Sequence, residues 1–161
     1  MIQQLADWLA GTWLSQAFAN ANWFVPTVQT VHILCIGVVV TALGMLDFRL
    51  LHLTRRGPPA ETMAVKFVPW VWRALVVLLF TGILLTITEP NRELMNGAFR
   101  LKMFLVVLLI VLTLIVQKAS AREPGYWSAS LARRRLGMAL GIGSLVLCLS
   151  IVAAGRLIAY L

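Results

Sequence analysis

Apolar residues recur along this chain in two patterns, one with helical periodicity and one continuous. In residues 1–20, Ile2, Leu5, Leu9 and Trp13 fall on one side of a helix and Gln4, Asp7, Gly11 and Ser15 on the other, with Leu14 and Phe18 interrupting the polar side. That pattern predicts a helix lying at a membrane interface. Trp8, Trp13 and Trp23 suit the aromatic belt, where indole rings bury their bodies and keep the N–H wet.

Four longer apolar runs follow, predicting spans over about 23–46, 68–88, 99–117 and 136–158. The first begins near Trp23 or Pro26 and ends where Asp47, Arg49, Arg55 and Arg56 mark water, with Gly57, Pro58 and Pro59 as breakers. The second carries Pro69, expected in its first turn where a missing N–H is harmless, and stops at Glu89, Pro90 and Asn91. The third is short: Met103 to Val116 is a largely apolar run of fourteen residues, so Arg100 and Lys102 must snorkel. The fourth is the clearest, with no charge in the twenty residues from Leu136 to Gly155 between Arg133, Arg134, Arg135 and Arg156. The expected fold is all-α: a polytopic four-transmembrane-helix bundle with an N-terminal interfacial helix, residues 1–161 forming a single membrane domain.

Composition agrees, with 60% of 161 residues hydrophobic and 12% charged. A bilayer core of about 30 Å takes about 20 residues per helix, so four spans use the length and leave no room for a separate soluble domain. The net charge of +8 does not indicate nucleic acid, because the basic residues sit in short loops rather than along a soluble face. Arg49, Arg55, Arg56, Lys66, Lys118, Arg122 and Arg133 to Arg135 follow spans one and three; Arg92, Arg100, Lys102 and Arg156 lie on the other side. The positive-inside rule then places both termini outside, which in a bacterial inner membrane is the periplasm. The basic loops should attract anionic lipid. The first eighteen residues lack Lys and Arg and contain Asp7, unlike a secretory leader. Gly37, Thr41 and Gly44 in span one, and Gly137, Ala139, Gly141 and Gly143 in span four, are small residues suited to helix contacts within the bundle or between copies.

The candidate chemistry centres on His32, an imidazole about 9 to 12 Å below the outer surface, where ionisable groups are costly. Gln29 and Cys35 lie a turn either side, and the three are expected to form a polar strip facing the bundle. The plainest account is a neutral histidine bonded to a neighbouring helix. A second account is axial ligation of haem b, with Met103 as partner or the haem shared between subunits. His52 lies twenty residues on, about 30 Å along a continued helix and on nearly the opposite face, so it cannot join the same haem. A third account is a soft copper site of His32, Cys35 and Cys148. Asp47 and Arg73 are expected to pair, and His52 beside Arg55 and Arg56 to be interfacial. Glu89, Lys102 and Arg156 are expected near the level of His32, as an anion or quinone-headgroup pocket or a solvated rim. There is no serine elbow, paired carboxylate set, HExxH, CxxCH or phosphate-binding glycine loop, so catalysis by this chain alone is not indicated. A transporter is disfavoured by the absence of an inverted repeat.

His32, the run Asp47, Phe48, Arg49, Leu50, Leu51, then Thr81 and Gly82, and then Asn96, Phe99 and Lys102 together resemble a family of uncharacterised bacterial four-helix membrane proteins, a domain of unknown function. The resemblance covers most of the chain and implies a four-span inner-membrane bundle, with no activity attached. A fainter likeness is to the membrane domains of copper-resistance D proteins and the cytochrome b561 type. The chain departs from the latter in lacking several helix-borne histidines, so that likeness reaches His32 alone. The expectation is an accessory membrane subunit that packs with partner subunits or a second copy and holds a cofactor at His32. The alternatives are a single-haem electron-transfer subunit and copper binding or transport.

Overall fold

The computed structural model describes residues 2–51, 53, 57–123 and 125–157. It is 85% helical, with no strand among the described residues. Among the described residues seven helices follow one another: α1 (Ile2–Ala10), α2 (Trp13–Asn20), α3 (Phe24–Leu50), α4 (Ala60–Thr88), α5 (Pro90–Leu94), α6 (Gly97–Ser120) and α7 (Leu131–Leu157). Four of them, α3, α4, α6 and α7, are long and apolar enough to cross a membrane. Their 27, 29, 24 and 27 residues correspond to about 36–44 Å at ~1.5 Å per residue, more than the ~30 Å hydrocarbon core.

The extra length corrects one local expectation. Pro69 lies inside α4 rather than in its first turn, because that helix begins at Ala60 behind the N-cap Pro59. The third helix is the shortest of the four, as expected, at 24 residues: Asn96 caps it, its side chain accepting from the Ala98 N–H at 2.9 Å, and it runs through Arg100 and Lys102 as far as Ser120.

The single interfacial helix expected over 1–20 is two helices. Thr12 takes extended backbone (φ −74, ψ 145) as the N-cap of α2, and its hydroxyl donates to the Leu9 carbonyl at 2.6 Å. Gly11, a weak helix former, precedes it. Ala6 and Ser15 are buried, while Trp8, Trp13 and Trp23 are exposed, as indole rings in an aromatic belt would be. α1 packs on α5, and α2 on α4 and α3, so the pair covers the end of the bundle where α3 begins.

The four long helices form a ring in which α3 packs on α4, α4 on α6, α6 on α7 and α7 back on α3. Two apolar layers fill it. One contains Val39, Leu43, Val71, Leu109, Cys148 and Ile151; the other, towards the loops after α3 and α6, contains Leu46, Leu50, Val68, Val116 and Trp127. Trp127 comes from the α6–α7 loop, and its Nε1–H donates to Ser120 Oγ at 3.0 Å. Its backbone N–H donates to Glu61 Oε1 at 3.3 Å, which fixes the loop to α4.

The span-four glycines work inside the chain. A Cβ on Gly137 would lie 3.0 Å from Trp127, and one on Gly141 would lie 3.4 Å from the Asp47 carbonyl oxygen. On α3, by contrast, a Cβ at Gly37 or Gly44 would meet nothing within 4 Å. The expected sites for His52, Arg55 and Arg56 fall outside the described residues.

Candidate functional site

His32 sits half-buried on α3, facing α4. Its Nδ1 is 2.7 Å from Thr81 Oγ1. Thr81, an interior residue of α4, donates its hydroxyl to the Val77 carbonyl at 2.8 Å, with Leu78 O at 3.3 Å. That back-bond is the usual outlet for a helical threonine. With its one proton given to Val77, Thr81 Oγ1 acts as acceptor, which assigns the Nδ1–H tautomer to His32 and leaves the Nε2 lone pair unspent. Gly82 lies beside the ring, where a Cβ would be in ordinary contact at 3.8 Å from His32 Cε1.

Lys102 enters the same end of the bundle from α6, half-buried. Its Nζ lies against α7, where a Cβ on Gly155 would be 3.7 Å away. The ammonium is within electrostatic range of both His32 and Glu93. Burial raises the Glu93 carboxyl above its ordinary 4.5, against the opposing pull of Lys102 and Arg92. His32 of α3 and Thr81 of α4 are thus in contact, and Lys102 of α6 connects them electrostatically to Glu93 of α5 while packing on the backbone of α7 at Gly155.

Two expected outcomes follow. Thr81→Val removes the acceptor for Nδ1–H without changing shape, and should destabilise the bundle by about 1–3 kcal/mol, the cost of a buried unsatisfied donor. Thermal unfolding in detergent measures it. For Glu93, a raised folded-state value means the folded form holds the proton more tightly than the unfolded chain. Its stabilisation is present at acid pH and is lost as pH rises from 4.5 through the raised value. Glu93→Gln should flatten that part of the pH–stability curve, as seen in unfolding midpoints across the acid range.

Other expected partners of His32 lie elsewhere. Gln29 is exposed, because its neighbour Val28 takes the buried position on this turn of α3 and Gln29 is rotated about 100° from it. Met103 is 42% exposed; being next to the inward Lys102, it is rotated about 100° away and does not face the imidazole. Arg156 is exposed, and Glu89 pairs at 2.7 Å with Arg92 in the same short connection. Of the expected Glu89, Lys102 and Arg156 group, Lys102 reaches inward and lies against Gly155, the chain neighbour of Arg156. Glu89 and Arg92 instead line a separate cleft of about 490 Å3 between α2 and α5.

Cys148 is buried, and Cys35 packs against the same apolar layer. Among the described residues, however, no three His, Cys, Asp or Glu side chains come together as a metal would need, so His32, Cys35 and Cys148 do not converge. His32 is the wrong height for them, being bonded a turn away to α4.

The expected Asp47–Arg73 pair is also absent. Asp47 is 2% exposed and faces Ser144 of α7, itself 1% exposed. The hydroxyl is close enough to act on the carboxyl, but Asp47 Oδ2 and Ser144 Oγ lack a well-formed hydrogen bond. Arg73 points outward, its guanidinium carbon 5.4 Å from the Trp70 ring centroid. Arg73 lies thirteen positions along α4 from Ala60, and its direction on the helix is set by the face that Val71 and Ala74 bury.

Sequence reasoning missed three contributors. Thr81 and Ser144 are single hydroxyls in apolar runs; Thr81 with Gly82 entered the sequence reading only as part of the family resemblance, not as the partner of His32. Trp127 looked like one more loop aromatic.

A family described as "Family of unknown function (DUF6644)" matches residues 12–161. No curated protein and no solved structure matches the chain. The family description carries nothing of haem, copper or electron transfer, so the likeness to copper-resistance D and cytochrome b561-type domains has no support from it.

Proposed function

The chain belongs to the DUF6644 family of unknown function, and on that premise we propose that it is an accessory integral subunit of a bacterial inner-membrane assembly. In this role it packs with other membrane subunits or a second copy, and presents His32 and Lys102 to a ligand or cofactor. The observation that carries the proposal is the His32–Thr81 bond at 2.7 Å. A histidine held through Nδ1 by a second-layer acceptor is oriented with Nε2 available, the arrangement that histidines serving a ligand commonly have. Lys102 supplies a positive charge beside it. Lys102 suits an acceptor oxygen, such as a quinone carbonyl or a carboxylate, and the Nε2 lone pair of His32 suits a hydroxyl donor or an iron centre. The open face of α3 at Gly37 and Thr41 supports the packing half of the role. The basic residues after α3 and α6 favour placing those loops in the cytoplasm and both termini in the periplasm.

The test is extraction of the chain from its own membrane in mild detergent. Native electrophoresis then gives the size of the assembly, and an absorption spectrum and mass spectrometry of the same band identify what is bound. The expected result is a species larger than the 17.8 kDa chain, carrying a bound molecule that His32→Ala and Lys102→Gln both release. A lone chain with nothing bound overturns the proposal. A Soret band lost in His32→Ala would identify the bound molecule as haem rather than a quinone.

A further inference from the structure

Arg73 poses a physical problem that its position on α4 also answers. Counting back about 20 residues from Thr88 reaches Pro69, so Arg73 lies roughly one turn inside the hydrocarbon edge and Trp70 lies at that edge. A guanidinium at this depth on an outward face is costly unless it snorkels or is paired. It does lean back, sitting over the Trp70 ring towards the start of α4. Lys66, Trp70 and Arg73 are spaced i, i+4, i+7, so they share one face of the helix. All three are exposed, and Val77 and Phe80 continue the same face as exposed apolar residues. Neither Lys66 nor Arg73 takes part in the ion pairs Arg92–Glu89 and Arg133–Glu123. The carboxylate nearest the start of the helix, Glu61, is engaged by the Trp127 N–H.

We propose that Lys66, Trp70 and Arg73 form a binding site on the lipid-facing side of α4 for the headgroup phosphate of an anionic phospholipid. The planar guanidinium takes the phosphate in a two-pronged hydrogen bond, which a lysine cannot reproduce. Trp70 supports the guanidinium through its ring face and packs at the boundary between headgroup and acyl chain. Lys66 adds a second positive charge two turns closer to water, and no free carboxylate on this face welcomes the ammonium group of a zwitterionic lipid. The occupant is a lipid rather than a soluble anion, because the acyl chains continue along Val77 and Phe80.

The test is lipid retention by native mass spectrometry of the purified full chain in micelles doped with phosphatidylglycerol or phosphatidylcholine. Wild type should retain phosphatidylglycerol preferentially. Arg73→Gln should lose that retention by about tenfold or more, the scale of one two-pronged charge-assisted contact. Arg73→Lys should recover it only in part, and Lys66→Gln should weaken it less. Arg134→Gln, an exposed cation at the same end on α7, should leave it within about twofold, since it lies off the α4 face. An equal loss in Arg134→Gln would mean diffuse surface attraction and would overturn the site, as would unchanged retention in Arg73→Gln. Displacement by millimolar inorganic phosphate would also overturn it, by showing a soluble-anion site. If Arg73→Gln fails to give a monodisperse sample, Lys66→Gln and Arg73→Lys decide on the same scale.

Discussion

Gly141→Leu is expected to separate α7 from α3 and to cost about 3 kcal/mol or more, above the ordinary range for overpacking because the obstacle is backbone. A Cβ at this position already lies 3.4 Å from the Asp47 carbonyl oxygen and from Leu50 Cβ, and 3.5 Å from Leu51 Cγ. The further atoms of leucine therefore have to displace α3 itself. Gly141→Ala makes the contrast, because 3.4 Å is tolerable and alanine favours helix over glycine by about 1 kcal/mol. That variant should be neutral or slightly stabilising. Denaturant titration in mixed micelles, followed by circular dichroism, compares the two. If leucine were as well tolerated as alanine, α7 would not be packed on α3 through this glycine.

Trp127→Ala is expected to be the most damaging single truncation, at about 3–5 kcal/mol, because it empties the largest aromatic position in the core. Trp127 is buried beneath Leu50, Val68 and Val116, and its loss also leaves Ser120 Oγ without the Nε1–H donor held at 3.0 Å. Trp127→Phe keeps most of the packing and forfeits that bond, so about 1 kcal/mol is the expected share of the hydrogen bond. The same titration separates ring from bond. Equal losses for Ala and Phe would assign the role to the hydrogen bond rather than to the buried ring.

The fold was legible because lipid imposes a simple rule: a segment long and apolar enough must satisfy its own backbone by forming a helix. The runs around Leu136 to Gly155 and Val68 to Thr88 obeyed it without ambiguity. Helix ends were less legible. Ala60 to Val68 and Leu131 to Arg135 extend two helices past the hydrocarbon, where hydropathy says nothing. The break at Thr12 depended on a side chain choosing to cap rather than continue.

His32 could be found from sequence because an ionisable group in an apolar run is conspicuous. Its partners could not, since one turn of uncertainty in helix rotation decides whether Gln29, Met103 or Thr81 faces it. Asp47 shows the same difficulty. Charge alone suggested Arg73, but the helix rotation that buries Val71 and Ala74 turns Arg73 outward and leaves Asp47 against a serine. Gly37 and Gly137 are alike as letters, yet one is open and the other lies against Trp127.

The central claim is that α3 crosses a bilayer with its Val39, Leu43 and Leu46 face inward, in register with His32 and Asp47. A spin-label scan along α3 in reconstituted bilayers, with Cys35 and Cys148 replaced by serine, measures this through oxygen accessibility. The account predicts maxima at Ile33, Leu34 and Val38, which are exposed, and minima at Val39, Leu43 and Leu46, which are buried, repeating about every 3.6 residues. Uniform accessibility along the helix, or maxima at Val39 and Leu43, would contradict it.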